Sequence, residues 1–187
     1  MADGGKERWP QPGGIDAKAG GLLLIQARMN KRALIKKIVN RLTEELEVYF
    51  RAAQNARTEA THEQSKAEHK YDTRGLEASY LARGQSKQAA ELQGAIEAFE
   101  KLSARAFDEA EPVDVGAFVE LELDGENAAY FIGPRAGGTE VVHDKKEILV
   151  ITPESPLGQQ LMGKKQGEIL NLTLANARNR CRVMKVI

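Results

Sequence analysis

Residues in alternating steps of three and four along two stretches of the chain are apolar, with Gln85 and Gln88 the exceptions. The first runs Val39, Leu42, Leu46, Tyr49, Ala53, Ala56, Ala60, and the second runs Ala78, Leu81, Gln85, Gln88, Leu92, Ala95, Phe99, Leu102, Ala106. This spacing keeps one stripe of a helix apolar and predicts two coiled-coil helices. Between them lies Lys70-Tyr71-Asp72-Thr73-Arg74-Gly75, whose Asp, Thr and Gly favour a turn. The helices are therefore expected to pair antiparallel as a hairpin over residues 31–106, with Asp72 to Gly75 at its distal end. At ~1.5 Å rise per residue, a helix from Lys31 to Lys70 would hold that end roughly 50–60 Å from the base.

After Ala106 the period changes. Phe107-Asp108-Glu109-Ala110-Glu111-Pro112 is acidic and closes with a proline that cannot continue a helix, which places a domain boundary near residue 108. Ala117, Val119, Leu121 and Leu123 then alternate with Phe118, Glu120 and Glu122, the pattern of a half-buried strand, ended by Asp124-Gly125. Residues 129–132, 147–151, 169–174 and 181–187 are further strand candidates, with turns at Gly133-Pro134, Gly137-Gly138 and Asn176 to Asn179. One short helix interrupts them: Ser155 suits the N-cap, Pro156 the first helical position, Leu157 and Leu161 share a face, and Gly163 ends it. The expected fold class is α+β. An antiparallel coiled-coil hairpin (29–108) precedes a small, mainly antiparallel sheet with one helix (109–187). Residues 1–28, with Gly-Gly pairs, two prolines and Trp9, are expected to be a tail or extension outside the fold.

Composition narrows the chemistry. Only 5% of residues are aromatic and 29% are charged, which suits Ala- and Leu-filled seams under a charged exterior. Lys and Arg balance Asp and Glu at 27 each, so nothing in the net charge favours duplex DNA. A single cysteine, Cys181, excludes an intramolecular disulfide and a cysteine-cluster zinc site; its neighbours Val183 and Val186 suggest a buried thiol in a strand. His62, His69 and His143 are too scattered to form a metal-ligand pattern. The apolar run Leu22 to Ile25 is too short for a signal-peptide core or a membrane span, so a cytoplasmic protein with no membrane contact is expected. Each helix already has an intramolecular partner, which favours a monomer.

The segment Ser155-Pro156-Leu157-Gly158-Gln159-Gln160-Leu161-Met162-Gly163-Lys164-Lys165-Gln166-Gly167-Glu168 resembles the signature of the GreA/GreB-type transcription elongation factors. That family pairs Ser-Pro with a short amphipathic helix, then Gly-Lys, then Gly-Asp or Gly-Glu leading into a strand. The resemblance extends over Met29 to Ile187 and implies an N-terminal coiled coil followed by a domain of FKBP-like fold. It implies binding to bacterial RNA polymerase, with the C-terminal domain at the rim of the secondary channel through Glu154, Ser155 and Pro156 and the coiled coil inside the channel. In the family, acidic tip residues hold a Mg²⁺ of the polymerase centre and help water attack a backtracked transcript, so the factor would need no cofactor of its own and would be no enzyme alone.

The tip departs from the family pattern. Aligned on Tyr80, Thr73 and Leu76 fall where the family has its two carboxylates, and Asp72 and Glu77 each lie one residue outside. Asp72 and Glu77 are the candidate catalytic residues, Asp72 also the candidate metal ligand within the complex. Arg74 is a candidate contact to phosphate or to a polymerase carboxylate. A plainer reading makes Asp72 a helix cap and Glu77 a first-turn anion favoured by the helix dipole. Lys66, Lys70, Arg74, Arg83 and Lys87 cluster near the tip, where nascent RNA is a further candidate contact, although a solvated flank explains them equally. Two functions compete with transcript cleavage. One is regulation of transcription by channel occupancy without cleavage. The other is prolyl isomerisation, disfavoured because Phe118, Tyr130 and Phe131 are the only aromatics after Pro112.

Overall fold

The structure, a computed structural model, describes residues 29–61, 74–123, 125–174 and 177–187, with the backbone alone for residues 60, 74, 75, 172–174 and 177–179. Two long helices come first, α1 (Lys31–Thr61) and α2 (Arg74–Glu100). Asn30 caps α1, its Oδ1 accepting the Ala33 N–H at 3.1 Å, which satisfies one of the donors a helix start leaves orphaned. The pairing is antiparallel. Ile35 shares a groove with Phe99, Leu42 with Leu92 and Ala95, and Leu46 with Ala89. The 31 residues of α1 span about 46 Å.

The second seam differs from its expected course. Leu81 is 54% exposed and Gln88 is exposed, whereas Ala82, Gln85 and Ala89 are half-buried. The seam thus runs through Ala78, Ala82, Gln85, Ala89, Leu92, Ile96 and Phe99. Steps of three and four permit either member of the pairs 81/82 and 88/89. The small side chains at Ala82 and Ala89 let α1 approach closely and so take the seam. The helix also stops short: α2 ends at Glu100, and Leu102 and Ala106 lie outside it. There the chain turns toward the sheet, where Phe107 is buried. At the other end Arg74 and Gly75, expected in the turn, open α2. The rest of that turn, Asp72 and Thr73 included, lies outside the described residues.

Six strands follow: β1 (Phe118–Leu123), β2 (Glu126–Ile132), β3 (Glu140–His143), β4 (Lys146–Ile151), β5 (Ile169–Leu174) and β6 (Ala177–Val186), with α3 (Pro156–Leu161) between β4 and β5. They form one sheet in the order β3-β4-β2-β1-β6-β5. Every pairing is antiparallel except β2 with β4. The α+β class is as expected, but the sequence pattern misses β3, whose four residues are too few to show a period. Of the turn expected at Asn176 to Asn179, residues 177–179 belong to β6, and Asn176 lies outside the described residues.

Both faces of the sheet are covered in part, by different elements. On one face Val119, Leu121, Ile132, Cys181 and Val183 pack with Leu157 and Leu161 of α3. On the other, Phe118, Phe131, Ile148 and Val150 meet Leu34, Ile38, Leu42 and Phe99 from the base of the helical hairpin. Phe118 was expected on the solvent side of a half-buried strand and is instead fully buried, because the hairpin base supplies a second apolar layer. Contact is close enough that a Cβ on Gly133 would fall 2.7 Å from Phe99 Cζ and 2.8 Å from Val150 Cγ1.

Lys31 fastens the start of α1 to this junction. Its Nζ donates to the carbonyls of Gly116 and Ile187, each at 2.8 Å, and sits 4.4 Å from the centre of the Phe107 ring. Burial, with a smaller push from Arg105 opposed by Glu111, lowers its pKa to about 8. Nothing in the sequence marks this lysine, which lies at the foot of an otherwise ordinary charged helix.

Candidate functional site

The segment after β4 is built around one hydroxyl. Ser155 Oγ accepts the Gly158 N–H at 3.0 Å and donates to the Thr152 carbonyl at 2.8 Å, so it caps α3 and ties the cap to the end of β4. Pro156 occupies the first turn, where a missing N–H costs nothing. Gly158 is required by space: a Cβ there would stand 1.9 Å from the Thr152 carbonyl oxygen. Leu157 and Leu161 anchor the helix to the core. Gly163 (φ +78°) and Gly167 (φ +87°) take left-handed conformations that a side chain would strain. Between them the chain is laced to the sheet by hydrogen bonds from Gly163 to Val113, Val113 to Lys164 and Gly167 to Val183.

This framework holds Glu154, Ser155 and Pro156 together at one corner of the sheet, Glu154 and Pro156 exposed and Ser155 half-buried. Glu154 also lines a groove of about 820 Å³ where the hairpin base meets the loop of Pro134 to Glu140. Across it stand Arg41, Glu45 and Glu91 from the hairpin and Arg135 and Glu140 from the loop. Sequence reasoning missed this groove, since its two walls are far apart in the chain and each reads as an ordinary charged surface.

The other candidate residues lie elsewhere. Glu77 is exposed in the first turn of α2, where the dipole favours an anion. Counted along α2, it stands about 33 Å from the Phe99 anchor. Leu76 is 57% and Tyr80 66% exposed beside it. Arg74 opens the same helix. Asp72 lies outside the described residues, so its distance from Glu77 does not enter the site's geometry. Among the described residues no group of three or more His, Cys, Asp and Glu side chains is arranged to hold a metal. Cys181 is buried as expected, and burial pushes its thiol pKa up, which suits a structural thiol rather than a nucleophile. No described helix is long and apolar enough to cross a membrane.

No protein-family model matches the chain, and no curated protein matches it significantly. Solved structures do. The GreA factor homolog 1 (Gfh1) of Thermus thermophilus is 25% identical over 80% of this chain and 94% of its own, with a TM-score of 0.33. Gfh1 of Thermus aquaticus is 25% identical over 81% of this chain and 94% of its own, with a TM-score of 0.35. A further structure of the transcription factor Gfh1 is 27% identical over the same shares, with a TM-score of 0.34. Over about four fifths of its length this chain is similar to GreA homologs, the family that the Ser155 to Glu168 segment resembles.

Proposed function

We propose that this protein is a Gre-like transcription factor that binds bacterial RNA polymerase at the secondary channel and acts on paused or backtracked complexes through the far end of its helical hairpin. One observation carries the reading. A long antiparallel helix pair is fixed at its base to a sheet that also presents a rigid, serine-capped loop, Glu154-Ser155-Pro156. A rigid base lets a docked sheet dictate where the hairpin end goes, with Glu154, Ser155 and Pro156 as contacts at the channel rim. The sheet and α3 would then serve as an FKBP-like docking domain without isomerase activity, in a cytoplasmic monomer.

The factor would be no enzyme alone. A Mg²⁺ at the polymerase centre would supply the charge that activates water and stabilises the leaving oxygen. This chain would contribute carboxylate oxygens, suited to a hard cation, from Asp72 and secondarily Glu77, while Arg74 would face phosphate. A second reading, regulation by channel occupancy without cleavage, is favoured by Leu76: at 57% exposure it puts a hydrocarbon where the family has a carboxylate.

Backtracked elongation complexes incubated with the protein and Mg²⁺ distinguish the two readings. Short 3′ RNA release supports cleavage; altered elongation without release supports occupancy. A pull-down of polymerase core should weaken when Glu154, Ser155 and Pro156 are replaced together in a chain that keeps its helical signal. Undiminished capture moves the docking surface elsewhere, and no capture by the wild type removes the function.

A further inference from the structure

The hairpin base covers β3, β4, β2 and the start of β1 at Phe118 on one sheet face and leaves the rest of β1 with β6 and β5 open on that face. Strand alternation decides what is displayed there. Cys181 and Val183 point into the α3-side core, so Arg180 and Arg182 point to the open side, and both are exposed. A register shift between Glu120 and Leu121 adds a residue to β6, so that Met184 and Lys185 follow on the same side. Ile169, the cross-strand neighbour of Arg182, is 45% exposed and Met184 43%.

Charge is concentrated here. Three basic residues, Arg180, Arg182 and Lys185, stand on this face in a chain whose net charge is zero, whereas Lys164 outside it is already paired with Glu168. Two carboxylates share the open face. Glu120 is taken by an ion pair with Lys146. Glu122 is opposite Arg182 in the β1–β6 register, yet neither Arg180 nor Arg182 makes an ion pair among the described residues. Free guanidinium groups two residues apart along a strand repeat at ~6.7 Å, a pitch an extended phosphodiester strand can follow. Exposed Ile169 and Met184 beside them offer an apolar bed, and arginine planes can stack on bases. The hollow at this site, lined by Ile169, Arg180 and Arg182 with Glu122 at its β1 side, is about 330 Å³, which suits a flexible strand laid along the two arginines better than an acidic helix that must be gripped in a groove.

We propose that this open half-sheet binds single-stranded RNA through its phosphates, with Arg180 and Arg182 as the principal contacts and Lys185 assisting. The choice of RNA over DNA rests on the polymerase reading above; the phosphate chemistry does not. Binding should be tolerant of sequence and strongly salt-dependent, with a log–log slope of about −0.7 for each phosphate neutralised.

The test uses the full chain and a fluorescein-labelled RNA 12-mer without secondary structure, followed by anisotropy in 30–200 mM KCl and in the absence of polymerase. R180E/R182E should weaken binding at least tenfold at the lowest salt and flatten the slope by at least 1. R180Q/R182Q should do so more mildly, and circular dichroism and thermal melts should show both variants folded. R51E/R57E, at exposed positions of α1, should change binding less than twofold, and R83E/K87E tests the basic cluster near the hairpin end as the alternative RNA contact. Undiminished binding by R180E/R182E, or loss confined to R83E/K87E, overturns the proposal. So does a DNA 12-mer bound equally with the same arginine dependence, or a labelled oligoglutamate peptide bound in preference to RNA, which would make the face a site for an acidic protein. Because polymerase is absent, failure here leaves the pull-down result standing, and failure of the pull-down leaves this measurement interpretable.

Discussion

Phe99→Ala tests whether hairpin and sheet are one mechanical unit. Phe99 has no exposed surface, its ring centre is 6.2 Å from that of Phe131, and it shares a cluster with Leu34 and Ile38 of α1 and Ile148 and Val150 of the sheet. Removing a fully buried phenyl ring costs ~3–5 kcal/mol, a transfer loss plus a cavity that the neighbours fill only in part. Collapse is restricted here, since the Gly133 backbone already lies too close to the ring to admit even a Cβ and Phe99 and Phe131 sit in a helix and a strand. A loss near the middle of that range, ~4 kcal/mol, is expected. With a urea m-value of ~2 kcal/mol/M, the unfolding midpoint should fall by roughly 2 M. The helical signal at 222 nm and a probe of the sheet, such as the reagent accessibility of Cys181, the single cysteine of the chain and buried in β6, should move together in the wild type and separate in the variant as the hairpin base loosens. Phe99→Leu should cost less than half as much. A loss below ~1 kcal/mol for Phe99→Ala, with both probes still coincident, would refute the shared core and with it the rigid base on which the proposed reach depends.

The revised seam predicts that Leu81→Ala changes stability by no more than ~0.5 kcal/mol whereas Leu92→Ala costs ~1–3 kcal/mol; equal losses in chemical denaturation would restore the original seam. Lys31 gives a pH signature. Its folded pKa of about 8 lies below the ordinary 10.5, so below pH 8 the folded state bears the cost of a buried cation, and the cost is relieved as pH rises from 8 to 10.5. Wild type should therefore gain ~1–2 kcal/mol relative to Lys31→Met between pH 8 and pH 10, the full linkage value being reduced by solvent screening, and a pH-independent difference in urea titrations would show that the ammonium is better solvated than its surroundings suggest. Asp72→Asn keeps the side chain's shape and an oxygen acceptor but removes the charge a metal needs; the variant should bind polymerase normally and lose its effect on transcription, and a transcription profile identical to wild type would leave the Asp72 carboxylate without a special role.

The sequence alone determined a good deal of this protein. Heptad spacing in Val39 to Ala60 and Ala78 to Phe99 announced two long helices, because a coiled seam writes its period into every turn. Ser155, Pro156, Gly163 and Gly167 announced the capped loop and its exits, since each answers a local demand for a hydroxyl, a fixed φ or a positive φ. The alternation of Val119 and Leu121 gave β1 the same way. Other features were decided only by the fold. Leu81 and Ala82 fit the three–four rhythm equally, and the approach of α1 chose the alanine. Phe118 looked solvent-facing until the hairpin base arrived over it. Lys31, the groove at Glu154 and the open arginine face of β6 join residues as much as 156 positions apart. Local periodicity carries information over a turn or two of chain, whereas these contacts depend on which surfaces meet, and only tertiary packing settles that.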